Sequence, residues 1–462
     1  MLSEIAVLRF GLGARPGELT DAAHDPRGWL VRQLSGPVPL ASSLTLTPSA
    51  SILADVMEAR QKRRQARADG SAATPAATAA AELVKQAWLP HYREQVLART
   101  QSAVLTDRPF AERLVQFWSN HFAVSADKGL FTGIAGTLEN EAIRPHACGH
   151  FADLLRAVEQ HPAMILFLDN QASVGPNSRA QRLFARRDPQ HRHGINENLA
   201  RETLELHTLG VNGGYTQADV TSFARVLTGW SVGRLHERAP ALPGAFVFRE
   251  AMHEPGAQIV LGLRFAEDGI AQGEAVLDML ARHPSTARFL ATKLARHFIA
   301  DDPPPAAVDR LARAYQDSEG FLPSVYQALV EEQLAWQMPS QKFKTPQDLV
   351  FSTLRTLGIE PSDPGDVLPG FEFLGQRTFT PGSPAGWPDT ARNWDGPDAL
   401  MHRVLWATRV GERFEHGLDP QKLCDQALGR CARPETRSAV AHAATGAQAL
   451  ALLIMSPEFQ RR

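Results

Sequence analysis

Cysteine is scarce in this chain: Cys148, Cys424 and Cys431 are the three present in 462 residues. An odd number with no Cys-x-x-Cys pair excludes a disulfide framework and a thiolate zinc site, leaving buried free thiols as the expectation. An excess of charge of either sign is missing too. Lysine and arginine total 48 against 50 aspartates and glutamates, a formal net charge of −2, so no global field draws the protein to nucleic acid or an anionic membrane. No nucleic-acid or membrane partner is expected. The longest apolar stretch, Ala443 to Met455, is shorter than the 18 residues a membrane-spanning helix needs and reads as a final buried helix. The first fifteen residues contain Glu4 and have neither the basic start nor the apolar run of a secretory signal, which as the sequence stands implies a cytoplasmic protein. A Gly-x-Ser-x-Gly elbow, a phosphate loop, a dinucleotide fingerprint and a His-Glu-x-x-His zinc helix are all missing. So is a repeat of fixed period, which excludes a solenoid.

What remains suffices for a globular protein. Hydrophobic residues make up 44% and charged residues 21%, enough apolar side chain for a real core. The length suggests two or three packed substructures or one extended helical domain. Residues 1–57 read as an N-terminal helical segment in which Asp25-Pro26 opens a short helix and 34–50 form a loop. Residues 58–81 combine a basic stretch, Arg60 to Arg67, with an Ala/Thr-rich run and read as a linker or an exposed helix with a break. The basic stretch lacks interleaved aromatics, which points to a solvated face. Residues 82–462 read as the main domain.

Apolar residues there recur at helical spacing. Phe110, Leu114, Phe117, Trp118 and Phe122 share one broad face, as do Phe151, Leu154, Leu155 and Val158. Pro284 to Phe298 repeats the pattern. Thr216-Gln-Ala-Asp219 and Thr345-Pro-Gln-Asp348 are helix starts of the capping-box kind, and the first of these helices is expected to stop at Gly229. Phe246-Val-Phe248 and Ile259-Val-Leu261, separated by turn residues, suggest a small β-hairpin or two short strands within 230–262. The expected class is mainly α, a multi-helix globular array with this small β insertion.

The segment with the most unusual polarity is Asn196-Glu-Asn-Leu-Ala-Arg-Glu202-Thr-Leu-Glu205-Leu-His207. At about 100° per residue, Asn198, Glu202 and Glu205 fall within about 60° of each other, beside an apolar stripe of Leu199, Leu206 and Leu209. Carboxylates at the border of a buried face must be paired, protonated or metal-bound. The functional reading is an oxygen-rich site in which Asn198, Glu202, Glu205 and a loop histidine, His253, hold a divalent cation, or in which Glu202 and Glu205 work with His121 as acid–base catalysts. The bland alternative is a pair of salt bridges, one to Arg225, with Asn196 as an ordinary N-cap. His121 closes an aromatic helix and has its own bland reading, a histidine at the negative end of the helix dipole. His191-Arg-His193 lies in so basic a run that a solvated loop is expected.

Together these segments form a recognisable series. Arg9-Phe-Gly-Leu-Gly-Ala-Arg-Pro-Gly17, Phe117-Trp-Ser-Asn-His-Phe122, Asn196 through Trp230, His253 with Gly256, Lys344-Thr-Pro346, and Gly375-Gln376 through Gly386-Trp387 resemble the blocks of the bacterial domain-of-unknown-function eighteen-hundred family over nearly the whole chain. The stretch Thr380 to Trp387 departs from the family's usual adjacent prolines and valine. The resemblance implies no established catalytic residue. It implies a periplasmic alternative, since many relatives are exported, and a sulfatase-like protein encoded nearby as partner. Two readings of function follow: an enzyme or metal-site protein with a carboxylate/histidine centre, or a binding or scaffold protein whose Asn/Glu signature locks helices together. In the second, aromatic loops around Trp387 and Trp394 would grip a partner.

Overall fold

A computed structural model describes residues 1–68, 75–127, 129, 131–187, 194–237, 242–414 and 419–462. The architecture is mainly α, with two small antiparallel two-stranded sheets among the described residues. A continuous buried apolar cluster runs from Ile5 to Phe459. The junction expected at residue 57 falls inside the helix Ser49–Ala68, and a second helix, Pro75–Gln86, follows it. Among the described residues no helix is long and apolar enough to cross a membrane.

Local chemistry sets many helix ends. Thr216 and Thr345 each accept from the amide three residues on, while Asp219 and Asp348 reach back to the cap amide, starting the helices Gln217–Val226 and Pro346–Leu357. Gly229, with φ +87°, turns the chain after the first of them. The helix Pro284–Phe298 buries Ala287, Leu290, Leu294 and Phe298 and begins behind His283, whose ring accepts from the Ser285 amide.

The two expected strands do form, with different partners. Phe246–Phe248 pairs with Trp230–Val232, and Gln258–Val260 pairs with Leu263–Phe265. Neither segment pairs with the other: the second turns back on itself through Leu261-Gly262, and the first pairs with a strand that ends at Val232.

The glycine-rich opening is explained by arginines from distant helices. Arg113 Nε donates to Gly11 O at 2.5 Å and Arg355 Nε to Gly13 O at 2.8 Å. Gly13, at φ +97°, lies so close to the helix Pro346–Leu357 that a Cβ would meet that of Ser352 at 2.6 Å. This segment is therefore pinned between the helices that supply one side of the cleft described below.

Candidate functional site

The principal cleft among the described residues has a cavity volume of about 540 Å³. Its walls come from the helices Pro109–His121, Pro284–Phe298 and Pro346–Leu357, and its rim from residues 376–393. Asn120 ties that rim down: its Nδ2 donates to Trp387 O at 2.9 Å while the Trp387 amide donates to Asn120 Oδ1 at 2.7 Å. The neighbouring Gly386 has φ +84° and sits so close that a Cβ would come within 2.2 Å of Asn120 O. Trp387 packs at 6.0 Å against Trp394, which is buried. Trp387 itself is half-buried, and the Trp394 indole N–H donates to Pro388 O across its own loop.

At the floor of the cleft His297 Nδ1 lies 2.6 Å from Asp389 Oδ2. Asp389 is held as a carboxylate, its pKa lowered to about 2; burial opposes this, but His297, Lys342 and Arg462 outweigh it. A carboxylate can only accept, so Nδ1 carries the proton and Nε2 keeps its lone pair. That Nε2 is buried, has no hydrogen-bond partner, and belongs to a cleft-lining ring. Burial first, then the charges of Arg462 and Arg113, hold the imidazole down to about 4 against the pull of Asp389, so it is neutral at pH 7.

A network of buried ions fixes this pair. Asp348 accepts from Arg113 Nη1 and from Arg462 Nε, each at 3.0 Å. Arg462 reaches Asp389 Oδ1 at 3.5 Å and donates from Nη1 to His297 O at 2.7 Å. Lys342 Nζ bridges Asp301 at 2.5 Å and Asp389 O at 2.6 Å. Each buried charge meets an opposite one, as low-dielectric surroundings require.

Lys293 stands one turn before His297 on the same helix face. Its ammonium has no hydrogen bond or ion pair among the described residues and lies 5.5 Å from the Phe289 ring centroid. Burial lowers its pKa to about 8, Asp389 opposing and Arg296 assisting.

Of the site residues expected from sequence, His121 lines this cleft. It is buried, and its Nε2 lies 3.1 Å from His207 O, so in the neutral ring Nε2–H donates and Nδ1 is a free acceptor. Burial, then the charges of Lys293 and His207, push its pKa well below the ordinary value. His121 does close the helix Pro109–His121, as expected.

Glu202, Glu205, Asn198 and His253 do not line it. Glu202 and Glu205 are half-buried; Glu205 accepts from Tyr215 OH at 3.3 Å, and neither pairs with Arg225 among the described residues. The Glu202 carboxyl is raised, by burial first. The expected apolar stripe is corrected as well. Residues 203–208 form a π-helical turn, closed by Leu209 N–H to Leu204 O at 2.9 Å, and the wider turn leaves Leu206 half-exposed while turning His207 into the core. There His207 Nδ1–H donates to Glu159 Oε1 at 2.7 Å. Glu197 holds the N-cap position, and Asn196, one residue before it, accepts at Oδ1 from the Asn198 amide at 2.9 Å. His253 is a buried loop residue whose Nδ1 is 3.0 Å from Thr228 O. Glu202, Glu205 and His253 belong to no group of three or more metal-type ligands among the described residues. His191 and His193 lie outside the described residues.

Residues 5–461 match the family described as "Protein of unknown function (DUF1800)". The chain belongs to that family. No curated protein and no solved structure matches it. The DUF1800 blocks named from sequence fall on the cleft at Phe117-Trp-Ser-Asn-His-Phe122, Lys344-Thr-Pro346 and Gly375 to Trp387, whereas the central Asn/Glu block lies beside it.

Three cleft residues escaped the sequence reading: Lys293, His297 and Asp389. A signal existed for two of them, since Lys293, Arg296 and His297 sit at i, i+3 and i+4 opposite an otherwise plain packing face. Asp389, 92 residues from His297 in sequence, carried none beyond its position just after Gly386-Trp387-Pro388.

Proposed function

We propose that the protein is an enzyme whose carboxylate/histidine centre is Asp389 with His297, and that His297 Nε2 accepts and returns a proton during turnover. A neutral imidazole whose far nitrogen is locked by a carboxylate is the arrangement a general base needs. The observation that carries this reading is the buried Nε2, unpartnered and lining the cleft. Leaving such an acceptor unpartnered costs about 1–3 kcal/mol, and at this position the cleft has room for a substrate group that would pair with it. At about 4 the imidazole is a weak base; an anion bound near Lys293 adds the negative charge that raises it toward the working pH. Asp389 orients the ring, and Lys342 and Arg462 help to keep Asp389 ionised.

The test is nuclear magnetic resonance of the His297 ring. The proposal expects the Nδ1–H tautomer, neutral from pH 8 down to about 5, in line with the depressed pKa. A ring that titrates near 6.5 or shows the Nε2–H tautomer removes the base.

The scaffold reading is supported for one part of the central signature. Glu197 accepts from Thr221 Oγ1 at 2.7 Å, Gln217 Nε2 at 2.8 Å and Arg201 Nη2 at 3.0 Å, tying the helix Asn198–Glu202 to Gln217–Val226.

A further inference from the structure

The charges lining the cleft do not cancel. Five cations, Arg99, Arg113, Lys293, Arg296 and Arg392, face two carboxylates, Asp348 and Asp389. Both carboxylates are already engaged inside the buried network, and Arg99 is paired with Glu139 at 2.7 Å. Lys293, Arg296 and Arg392 therefore have no carboxylate of their own among the described residues. Arg296 spends one donor, Nε, on Asp301 O at 3.1 Å, and keeps its terminal amino groups. Lys293 spends none, and with a pKa of about 8 it is still mostly ammonium at neutral pH.

Two further observations describe the rest of the ligand. Among the described residues His121 Nδ1 and His297 Nε2 are buried acceptors without partners, and both rings pack against Phe117, whose centroid is 6.4 Å from the first imidazole and 5.4 Å from the second. Gln116, buried in the same wall, has a free amide donor at Nε2. A bare anion satisfies the cations and leaves both imidazoles unpaired; a neutral polyol does the reverse. The volume of about 540 Å³ is that of a site for one small molecule.

We propose that the cleft takes a small hydroxylated anion, an oxyanion ester of a sugar or polyol, with the charged group on Lys293, Arg296 and Arg392 and hydroxyl groups donating to His121 Nδ1 and His297 Nε2. The proposal rests on the same cleft as the proton-transfer reading and names what that cleft holds. Phosphate and sulfate esters share this chemistry, and the sources are separated by experiment.

Isothermal titration of the full-length protein with glucose 6-phosphate, glucose 6-sulfate, glucose and inorganic phosphate provides the test. Saturable binding of at least one ester is expected, about tenfold or more tighter than glucose or inorganic phosphate alone. The better of the two esters identifies the anion. Lys293→Met is expected to lower ester affinity about tenfold or more, and Arg392→Ala, at an exposed position that folding does not need, about threefold or more. His297→Gln is expected to keep the anion and lose the preference for the ester over inorganic phosphate. Failure of both esters to bind with a Kd below about 1 mM, or unchanged affinity in both Lys293→Met and Arg392→Ala, overturns the assignment. Ester binding by a protein whose His297 titrates normally leaves this inference standing and removes the proton-transfer reading; a neutral His297 with no ester binding does the opposite.

Discussion

His297 and Asp389 meet at 2.6 Å, Nδ1 to Oδ2, and this contact leaves the far nitrogen of the imidazole a buried acceptor without a protein partner, on a ring that lines the cleft. Because the same carboxylate also receives Lys342 and Arg462, the orientation of one ring is coupled to the packing of the C-terminal segment. Several measurable consequences come from that coupling.

Acid should weaken the fold through His297. Its folded pKa of about 4 lies below the ordinary 6.5, so the unfolded chain binds the proton more readily across that interval. Stability from this group is complete above about pH 6.5 and declines as the pH falls toward 4. Urea unfolding at pH 7, 5.5 and 4.5, in the parent and in His297→Gln, should show the parent losing ground to the variant as acid is added. A gap that stays constant or widens in the parent's favour contradicts the assignment.

Asp348→Asn should be costly. Asp348 lies between two buried guanidiniums, each at 3.0 Å, and its carboxyl is held far below the usual range by their charge in spite of burial. Neutralising it leaves two buried cations facing each other, a change worth about 3–5 kcal/mol. Denaturant midpoints measure this directly. A loss below about 1 kcal/mol would mean water reaches the network.

Asn120→Ala should loosen the cleft rim without unfolding the protein. Both bonds between the Asn120 amide and the Trp387 backbone vanish, at a cost of about 1–3 kcal/mol. Hydrogen exchange at the Trp387 amide should accelerate, with little change at Phe110 or Leu114 in the helix core. Protection at Trp387 equal to the parent's would show that the rim is held by something else.

Glu202→Gln together with Glu205→Gln should leave the melting temperature nearly unchanged, within about 0.5 kcal/mol. Both side chains are half-buried and form no ion pair among the described residues, and burial already raises the Glu202 carboxyl, so neutral replacements remove no such pair. Thermal melts and ester titrations decide the matter; a double variant that melts as the parent does but no longer binds in the cleft would return these glutamates to the centre of the site.

Much of the secondary structure was legible because its causes are local. Thr216 with Asp219, Thr345 with Asp348, and the three-and-four spacing of Ala287, Leu290, Leu294 and Phe298 each act within a few residues, and the helices appear where those residues put them. The Asn198–Leu209 segment was misjudged at one point, since the assumption of about 100° per residue fails where an i→i+5 turn begins at Thr203. Nothing in the side-chain pattern announces that turn; it lets His207 reach Glu159, 48 residues away.

Composition and periodicity were enough to settle the helical class, the caps and the apolar faces, since propensity, capping and amphipathic spacing act along the chain. The cleft was another matter. His297, Lys293 and Asp389 come from Pro284–Phe298 and from a loop 92 residues beyond His297, and a pair that distant exists only when packing closes the intervening chain. Whether a histidine is a surface residue or a neutral base depends on burial and on the charges facing it, which are properties of three-dimensional neighbours rather than of neighbours in the chain.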